Sequence, residues 1–343
     1  MPLVSVVMSV YNDGKYVRDA IESILGQSFT DFDFLIVDDG CTDDTRAIIA
    51  EYSDRRIRLI INEQNLGLAP SLNKAIRLSN AKYFARQDAD DISLPDRLSR
   101  EVDYLESHPE VALVGTPAIV IADNGEPRGF WPVVTEDVDL KWGLLFMNAF
   151  VHSSIMARRS VVERVGYYTE EPQKAKAFVE DYDLWCRINR ISRSANLSAP
   201  LLKFRQNPTS ASVRTRDEQI RQRDRIAQEN IRWLLGISEL EENSWMRLKR
   251  FLLHPPGEDP KLDGWELREA VSFLESIHAA FCRKYQVPRK AAIIHRHRKY
   301  WVWARHAWAL ALRRDGKPGL RRRLAMMGAG LRLLGNAGRL SLS

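Results

Sequence analysis

The stretch Phe84-Ala85-Arg86-Gln87-Asp88-Ala89-Asp90-Asp91 joins a short apolar run to three acids within four residues. Like charges this close together repel one another unless water surrounds them or a cation lies among them. A solvated turn or a helix cap would account for the acids. A metal site of oxygen ligands at the end of a buried strand would account for them equally. The neighbouring segments show which interpretation the rest of the chain favours.

Upstream of this stretch, strand patterns alternate with helix patterns. Val4–Val10 (VSVVMSV) is the nearly continuous β-branched run that is typical of a strand buried on both faces of a parallel sheet. Strands are predicted at residues 4–10, 32–37, 57–61 and 83–87, and helices at residues 16–25, 45–52 and 68–78. This alternation predicts an α/β fold with a doubly wound, mostly parallel sheet, in which ligands bind at the carboxyl ends of the strands.

Acidic turns close both the second and the fourth predicted strands. Asp38 and Asp39 follow the second strand, residues 88–91 follow the fourth, and Tyr11 follows the first. In a parallel sheet these residues meet at one rim. The chain has neither a GxGxxG after the first strand nor a GxxxxGK[ST] motif, so a dinucleotide fold or a P-loop is poorly supported. A divalent cation bridging carboxylates to a nucleoside diphosphate fits the acids better.

The composition is that of a globular protein long enough for two domains. Of the 343 residues, 45% are hydrophobic and 28% are charged, and the net charge is +6. Residues 289–343 carry fourteen Lys and Arg against one acid, a net +13, which leaves −7 on residues 1–288. The basic tail therefore predicts an anionic partner, either a membrane or a nucleic acid.

The cysteines and the hydropathy favour a cytoplasmic protein. Cys41, Cys186 and Cys282 are far apart and show no CxxC or Cys/His spacing, so neither disulfides nor structural zinc are predicted. The longest charge-free stretch, residues 142–157, is too short and too polar for a membrane span. We therefore predict a reducing, cytoplasmic location and no transmembrane helix.

Five segments of the chain resemble family 2 glycosyltransferases, which have the GT-A fold. They are residues 4–45, residues 65–97 (with NLGLAPSLNKAI and ARQDADDISLPDR), residues 111–115 (VALVG), residues 152–159 (HSSIMARR) and residues 180–185 (EDYDLW). The resemblance covers about residues 3 to 213. It implies a nucleotide-sugar transferase of the bacterial polysaccharide type, and it is specific for the family but not for a substrate.

The resemblance implies a role for each residue of the rim. Tyr11 would pack against the nucleobase, Asp39 would accept a hydrogen bond from its imide group, as in uracil, and Ser9 would lie in the same pocket. In the DXD motif, Asp88 would contact the ribose and Asp90 would coordinate Mg²⁺ or Mn²⁺ on the donor diphosphate. The resemblance thus predicts one site for nucleotide and metal.

The resemblance also implies that Asp181 is the general base. Glycosyl transfer needs a carboxylate to take the proton of the incoming hydroxyl on the face opposite the leaving diphosphate, and such an in-line attack inverts the anomeric centre. Glu180 and Asp183 flank Asp181, and this crowding predicts a raised pKa. The alternative is that all three acids favour the first turn of a helix at residues 182–191.

Several further residues are candidates with two interpretations each. His152 and Glu180 would contact donor or acceptor, although a histidine in this position is also common in a core or turn. Arg86 would approach a phosphate or cap the metal site, or would have a surface role only. Trp185 would support an acceptor sugar, although a tryptophan at helical spacing is usually a core residue.

One segment departs from the family pattern. After the strand predicted at residues 201–205, many relatives carry a histidine near the donor phosphates, whereas this chain has Gln206-Asn207-Pro208. The metal shell would then consist of Asp90, phosphate oxygens and water, which Mg²⁺ accepts.

Beyond residue 213 the patterns predict helices, at residues 214–235, 240–253, 265–285 and 289–314. In the last of these, tryptophans alternate with basic residues, as is typical of a helix lying on an anionic membrane. A helical subdomain with an aromatic core would have the same composition. We therefore predict a catalytic domain at residues 1–213 and an α-helical extension at residues 214–343.

The predicted function is metal-dependent, inverting glycosyl transfer from a nucleotide sugar, with a UDP sugar implied by the resemblance. The acceptor would be a hydroxyl of a surface polysaccharide or lipid-linked glycan, met at the inner face of the cell membrane through residues 289–343. A nucleotidyltransferase also uses paired acids on a metal, but the Glu180-Asp181 pair argues against it. A nucleic-acid-binding protein would use the basic tail, but the acidic body and the missing recognition motifs argue against nucleic acid.

Overall fold

The computed structural model describes residues 1–176, 178–207, 215–253 and 264–288. The strands are β1 (Val4–Val10), β2 (Phe32–Asp38), β3 (Ile57–Ile61), β4 (Tyr83–Arg86), β5 (Ile92–Ser93), β6 (Val111–Gly115), β7 (Ala118–Ile121), β8 (Pro127–Trp131), β9 (Met156–Arg158), β10 (Arg193–Asn196) and β11 (Leu202–Arg205). The helices are α1 (Val17–Leu25), α2 (Thr45–Ala50), α3 (Leu68–Leu78), α4 (Arg97–Ser107), α5 (Asp137–Gly143), α6 (Arg159–Val165), α7 (Pro172–Lys176), α8 (Glu180–Asn189), α9 (Arg216–Leu235), α10 (Glu242–Leu253) and α11 (Gly264–Lys284), with a short 3-10 turn at His152–Ser154.

The larger sheet that these residues form has the strand order β10-β6-β9-β4-β1-β2-β3. Strands β4, β1, β2 and β3 are parallel neighbours, and β9 runs antiparallel to both β4 and β6. The register sets Val10 opposite Asp38 and Val7 opposite Arg86. The chain therefore leaves β1, β2 and β4 at one rim. This confirms the predicted α/β fold with a mostly parallel sheet.

Side chains of β1 alternate between two hydrophobic cores, one on each face of this sheet. Val7 packs with Phe84 and with Leu72 of α3, in a core that also receives the buried face of α8. Val6 packs in the opposite core with Ile21 of α1. Fully burying one such side chain contributes about 1.5–3 kcal/mol, and a strand that does so on both faces needs the continuous apolar sequence that predicted it.

A second sheet, with the order β5-β11-β7-β8, supports the turn between β4 and β5. Strand β5 begins directly after Asp91, and it pairs antiparallel with β11. A strand from much later in the chain therefore lies beside the acidic turn. The sequence predicted β11 but not its partner, because the two-residue strand β5 is too short to carry a periodic pattern.

The helices predicted after residue 213 are present as α9, α10 and α11. The chain divides into two compact units after Ala227, within α9, and the boundary at residue 213 stays a prediction. In the second unit, Arg250 pairs with Glu266 at 3.9 Å.

The three cysteines are free thiols. Among the described residues, none of the helices has the length and hydropathy needed to cross a bilayer. The helix and tail predicted at residues 289–343 lie outside the described residues.

Candidate active site

The loops after β1 and β2 are tied to each other at the rim. Asn12 has a left-handed backbone with φ of 56°, and its side-chain oxygen accepts a hydrogen bond from the Thr42 N–H at 2.8 Å. Gly40 has φ of +78°, and a Cβ there would lie 2.7 Å from the Gln64 carbonyl carbon, so only glycine fits. Tyr11, at the start of this tied region, is 47% exposed.

Ser9 lies near the carboxyl end of β1, and Asp39 directly follows the last residue of β2. Both are buried, and Asp39 is only 2% exposed. The Oδ1 atom of Asp39 accepts hydrogen bonds from Asn62, Ser71 and the Leu66 N–H, at 2.8 to 2.9 Å, and its Oδ2 accepts one from the Gly67 N–H at 2.9 Å. Oδ2 therefore keeps one acceptor position for a further donor.

The turn after β4 holds two half-buried carboxylates with different partners. The buried Arg86 donates from Nη2 to Asp88 Oδ1 at 2.5 Å. Although burial acts against it, the positive charge of Arg86 lowers the pKa of Asp88. The Asp90 carboxylate makes no ion pair within the described residues, and the charge of Arg205, which acts to lower its pKa, is outweighed. Burial, followed by the charges of Asp88 and Asp13, raises the pKa of Asp90 to about 7.

Asp13, from the loop after β1, extends this acidic group. Burial, together with the charges of Asp88 and Asp43, raises the pKa of Asp13 to about 6. Carboxylates that repel each other in this way are hard oxygen ligands, and they favour a divalent cation among them. No set of three His, Cys, Asp or Glu side chains in the described ranges has the geometry to hold an ion alone. A cation bound at these carboxylates would therefore need ligands from outside these side chains.

Asp91 differs from Asp88 and Asp90, because both of its carboxylate oxygens accept hydrogen bonds from the protein. It is fully buried, it accepts a hydrogen bond from the Ser153 hydroxyl, and its Oδ1 accepts one from the Arg205 N–H at 2.8 Å. The Arg205 guanidinium donates to the carbonyls of Asp90 (2.9 Å) and Asp123 (2.8 Å). Asp91 and Arg205 thus attach the acidic turn to the 3-10 turn and to β11.

Arg86 lies at the centre of a buried polar cluster behind Asp88. Its Nε and Nη1 atoms have no hydrogen-bond partner among the described residues. His152, beside it, shares a 3.0 Å hydrogen bond between its Nε2 and the Tyr168 hydroxyl. Burial and the charge of Arg86 lower the pKa of His152 to about 3, so this histidine is neutral. Both sequence-predicted residues are therefore brought to the site, and Arg86 is not on the surface.

Glu180 and Asp181 begin α8, and the charge of Asp88 acts on both of them. Glu180 is 1% exposed, and burial and the charge of Asp181 raise its pKa well above the usual range. Asp181 is partly exposed. Its Oδ2 accepts a hydrogen bond from Asn148 Nδ2, and its Oδ1 accepts one from the Tyr182 N–H, both at 2.6 Å. Asp181 therefore has hydrogen-bond donors beside it, whereas Asp90 has other carboxylates.

The pKa of Asp181 is raised to about 6, in the predicted direction but for a different reason. Burial contributes most, the two hydrogen bonds act against it, and the charge of Asp88 raises the pKa further. Asp183, which the sequence suggested as a cause, is neutralised by Lys174 at 3.0 Å and by Arg187 at 2.8 Å. The charge of Asp88 raises the pKa values of both Asp90 and Asp181, so the two acidic motifs lie within range of the same charge.

Trp185 is fully buried. Its ring packs with Phe150, His152 and Tyr168, each at 6.0 Å between ring centroids. It lies in the core behind the cluster rather than on a surface where a sugar could stack.

Three residues of the site were not singled out from the sequence: Asp13, Asn148 and Arg205. Asp13 lies in the turn after the first predicted strand, separated from the end of that strand by two residues. Its position in this turn was a signal from which it could have been singled out. Asn148 and Arg205 carry no local signal, because their roles depend on contacts with residues that are 33 and 115 positions away.

Comparisons with known proteins show the family to which the chain is similar. The model of the family described as Glycosyl transferase family 2 matches residues 5–166. The chain is 38% identical over 213 residues to the putative glycosyltransferase EpsE of Bacillus subtilis, spanning 60% of this chain and 74% of that protein. It is 31% identical over 206 residues to the amylovoran biosynthesis glycosyltransferase AmsE of Erwinia amylovora, spanning 59% of this chain and 75% of that protein.

A solved structure shows the same fold at lower identity. The crystal structure of S. aureus TarS in complex with UDP-GlcNAc aligns with a TM-score of 0.55 and 17% identity, over 95% of this chain and 91% of that one. The fold is GT-A, as predicted. The chain belongs to glycosyl transferase family 2, and it is a nucleotide-sugar transferase related to enzymes of polysaccharide biosynthesis.

Proposed function

We propose that this protein transfers a sugar from a UDP sugar to a hydroxyl group of a glycan acceptor, with inversion and with a divalent cation. The observation that carries this proposal is the contrast between the surroundings of Asp90 and those of Asp181. Asp90 lies among carboxylates that favour a cation, and Asp181 lies among hydrogen-bond donors that favour a charged, proton-accepting carboxylate.

The donor nucleotide would bind at the carboxyl ends of β1 and β2. Tyr11, with its exposed ring, would pack against the base, and Ser9 would line the same pocket. Asp39 would accept the imide N–H of uracil on the remaining acceptor position of Oδ2. The bound UDP-GlcNAc of the structurally similar TarS supports a uridine donor.

The donor diphosphate would lie over the turn after β4. Asp88, oriented by Arg86, would bind the ribose, and Asp90 would hold Mg²⁺ or Mn²⁺. The unpartnered Nε and Nη1 of Arg86 give that side chain further capacity toward the donor, and His152 would contact donor or acceptor as a neutral group. The cation, when bound, would neutralise the charge that develops on the leaving diphosphate.

Asp181 would act as the general base. Its pKa of about 6 leaves it largely deprotonated near neutral pH while keeping it basic enough to take a proton in the transition state. The acceptor oxygen would form its bond to the anomeric carbon as the bond to the diphosphate oxygen breaks, and its proton would pass to Asp181. Glu180, which is buried and favours its protonated form, would support this position as a neutral group.

The acceptor is assigned to the glycan class on the basis of the relatives and the tail. AmsE is named for amylovoran biosynthesis, and the fourteen basic residues within 289–343 suit an anionic bilayer surface. We therefore propose a surface polysaccharide or lipid-linked glycan as acceptor, at the cytoplasmic face of the membrane.

The proposal is tested by a thermal-shift screen with UDP, GDP, CDP and dTDP and their glucose or GlcNAc conjugates, with Mn²⁺ and with EDTA. A ligand that binds the folded state raises the melting temperature. We expect UDP and UDP sugars to raise it in Mn²⁺ and much less in EDTA. Stabilisation by GDP alone would contradict the uridine assignment, and equal shifts in Mn²⁺ and EDTA would contradict the metal.

A further inference from the structure

We infer that Asn148 is a positioning residue, which fixes the carboxylate of Asp181 and favours its charged form. This inference rests on the proposed function, in which Asp181 is the base. Asn148 donates to one carboxylate oxygen and the Tyr182 N–H donates to the other, both at 2.6 Å. Rotation of the carboxylate would break both hydrogen bonds. Each oxygen keeps one acceptor position, which is what the proton of an incoming hydroxyl requires.

The Asn148 side chain is itself held in place. Its Oδ1 accepts a hydrogen bond from the Phe150 N–H at 3.1 Å, and this leaves the amide N–H groups as the donors that face Asp181. The donor is therefore oriented before any substrate binds, and preorganised donors of this kind are the ones that contribute most to a reaction.

Other contacts dock the loop that carries Asn148 onto α8. The Leu144 carbonyl accepts hydrogen bonds from the Tyr182 hydroxyl at 3.0 Å and from the Cys186 thiol at 3.5 Å. The Phe150 ring packs against Trp185. These contacts hold the loop independently of the hydrogen bond that the Asn148 side-chain amide donates to the Asp181 carboxylate.

The groups around Asp181 explain why the hydrogen bond from Asn148 matters for the charge of that carboxylate. The titratable and charged groups around it are Glu180 on α8, Arg86 and Asp88 at the end of β4, His152 in the 3-10 turn and Tyr168 after α6. Burial and the charge of Asp88 act to protonate Asp181, and Arg86 is already paired with Asp88. The two hydrogen-bond donors oppose that tendency, and Asn148 is the one supplied by a replaceable side chain.

Asn148→Asp and Asn148→Ala separate a positioning role from a structural one. The aspartate keeps an oxygen for the Phe150 N–H, but it sets a second carboxylate against Asp181, and two such groups share one proton. The alanine removes both hydrogen bonds. Cys186→Ala is the matched control, because it loosens the same loop at Leu144 and leaves both donors to Asp181 in place.

Two readouts are measured on the full chain. The first is the pH profile of UDP release from UDP-GlcNAc, UDP-glucose and UDP-galactose with Mn²⁺, from about pH 5 to about pH 9. The second is the carbon-NMR titration of the Asp181 carboxyl, assigned with Asp181→Asn, and it needs no turnover. We expect the acid limb and the Asp181 titration to move up by about one pH unit or more in Asn148→Asp, and by less in Asn148→Ala. A shift of one unit lowers the rate on the acid limb about tenfold.

Two outcomes would overturn the inference. One is a titration of Asp181 in Asn148→Asp that matches the wild type, and the other is an equal shift in Cys186→Ala. Failure of the proposed base is recognised separately: Asp181→Asn would then release UDP at the wild-type rate, whatever Asn148 does to the titration.

Discussion

The turn at Asp88–Asp91 and the start of α8 at Glu180–Asp183 are both acidic, yet the protein treats them differently. In each, one acid is satisfied by the protein: Asp91 through Ser153 and Arg205, and Asp183 through two basic side chains. In each, a partly exposed acid has a raised pKa, to about 7 for Asp90 and about 6 for Asp181, and burial also raises the pKa values of the fully enclosed Asp91 and Glu180. The carboxylates around Asp90 would favour a cation there, whereas the neutral donors beside Asp181 favour its charged form, which can accept a proton.

The largest effect is expected for Asp181→Asn. The amide has nearly the shape of the carboxylate, but it cannot accept a proton, so we expect the rate of sugar transfer to fall by about 10²–10⁴-fold. Donor affinity should stay close to that of the wild type. Single-turnover transfer and calorimetric binding of the UDP sugar measure the two quantities separately. Weakened binding with unchanged chemistry would assign Asp181 to the donor site.

The next effect is expected for Asp90→Asn, in binding rather than in chemistry. Loss of a charged ligand should weaken metal-dependent UDP binding by roughly 10–100-fold, equivalent to about 1.4–2.8 kcal/mol. Calorimetry with UDP in Mn²⁺ measures it. Wild-type protein in EDTA is the control, and it should bind UDP as weakly as the variant does. Full affinity of Asp90→Asn in Mn²⁺ would remove Asp90 from the metal site.

Asp183→Asn should reduce stability and leave the acid limb of the pH profile unchanged. The substitution leaves Lys174 and Arg187 without their shared partner, at a cost of about 1–3 kcal/mol in the free energy of unfolding. Urea denaturation measures this cost. An acid limb that moves in Asp183→Asn would show that Asp183 does act on Asp181.

The smallest effect is expected for Asp90→Asn in the absence of metal. The folded-state pKa of about 7 lies above the ordinary value of 3.8, so the folded protein binds the extra proton between these values. The stability that protonation of Asp90 contributes to the folded state is fully present below about pH 4, and it is lost as the pH rises through about 7. In EDTA, Asp90→Asn should therefore be more stable than wild type near pH 8, by on the order of 1 kcal/mol once water screening reduces the roughly 4 kcal/mol of the full pKa difference, and no more stable near pH 4. Equal stabilities at both pH values would mean that the repulsion among the carboxylates is negligible.

The sequence predicted the parts of the fold that follow from periodicity. The run at Val4–Val10 is buried on both faces as expected, and the bounds of β3 and α3 agree with the prediction to the residue. The antiparallel strand β9 and the second sheet were not predicted, because Met156–Arg158 and Ile92–Ser93 are too short for a pattern to be visible.

The site was predicted unevenly, for a physical reason. Asp88 and Asp90 stand out because three acids follow a strand within four residues, and the cost of such crowding can be judged from the sequence. The partners that decide the role of each acid cannot be judged from the sequence. Asn148 is 33 positions from Asp181, and Lys174 neutralises Asp183 from a different helix. Trp185 shows the same limit, since its spacing was compatible with a sugar platform and with the core.

Arg205 has a consequence for the order in which the protein can fold. It donates to the Asp90 carbonyl across 115 positions, and closing a loop of that length is unfavourable until other contacts have formed. The carbonyl that precedes Asp91 is therefore held by residues that leave the ribosome long after the turn itself. A nascent chain that ends at residue 166, the limit of the family match, contains the whole acidic turn. It lacks both Asp181 and the strand that holds the turn in place, so the active site is completed only when synthesis has passed β11.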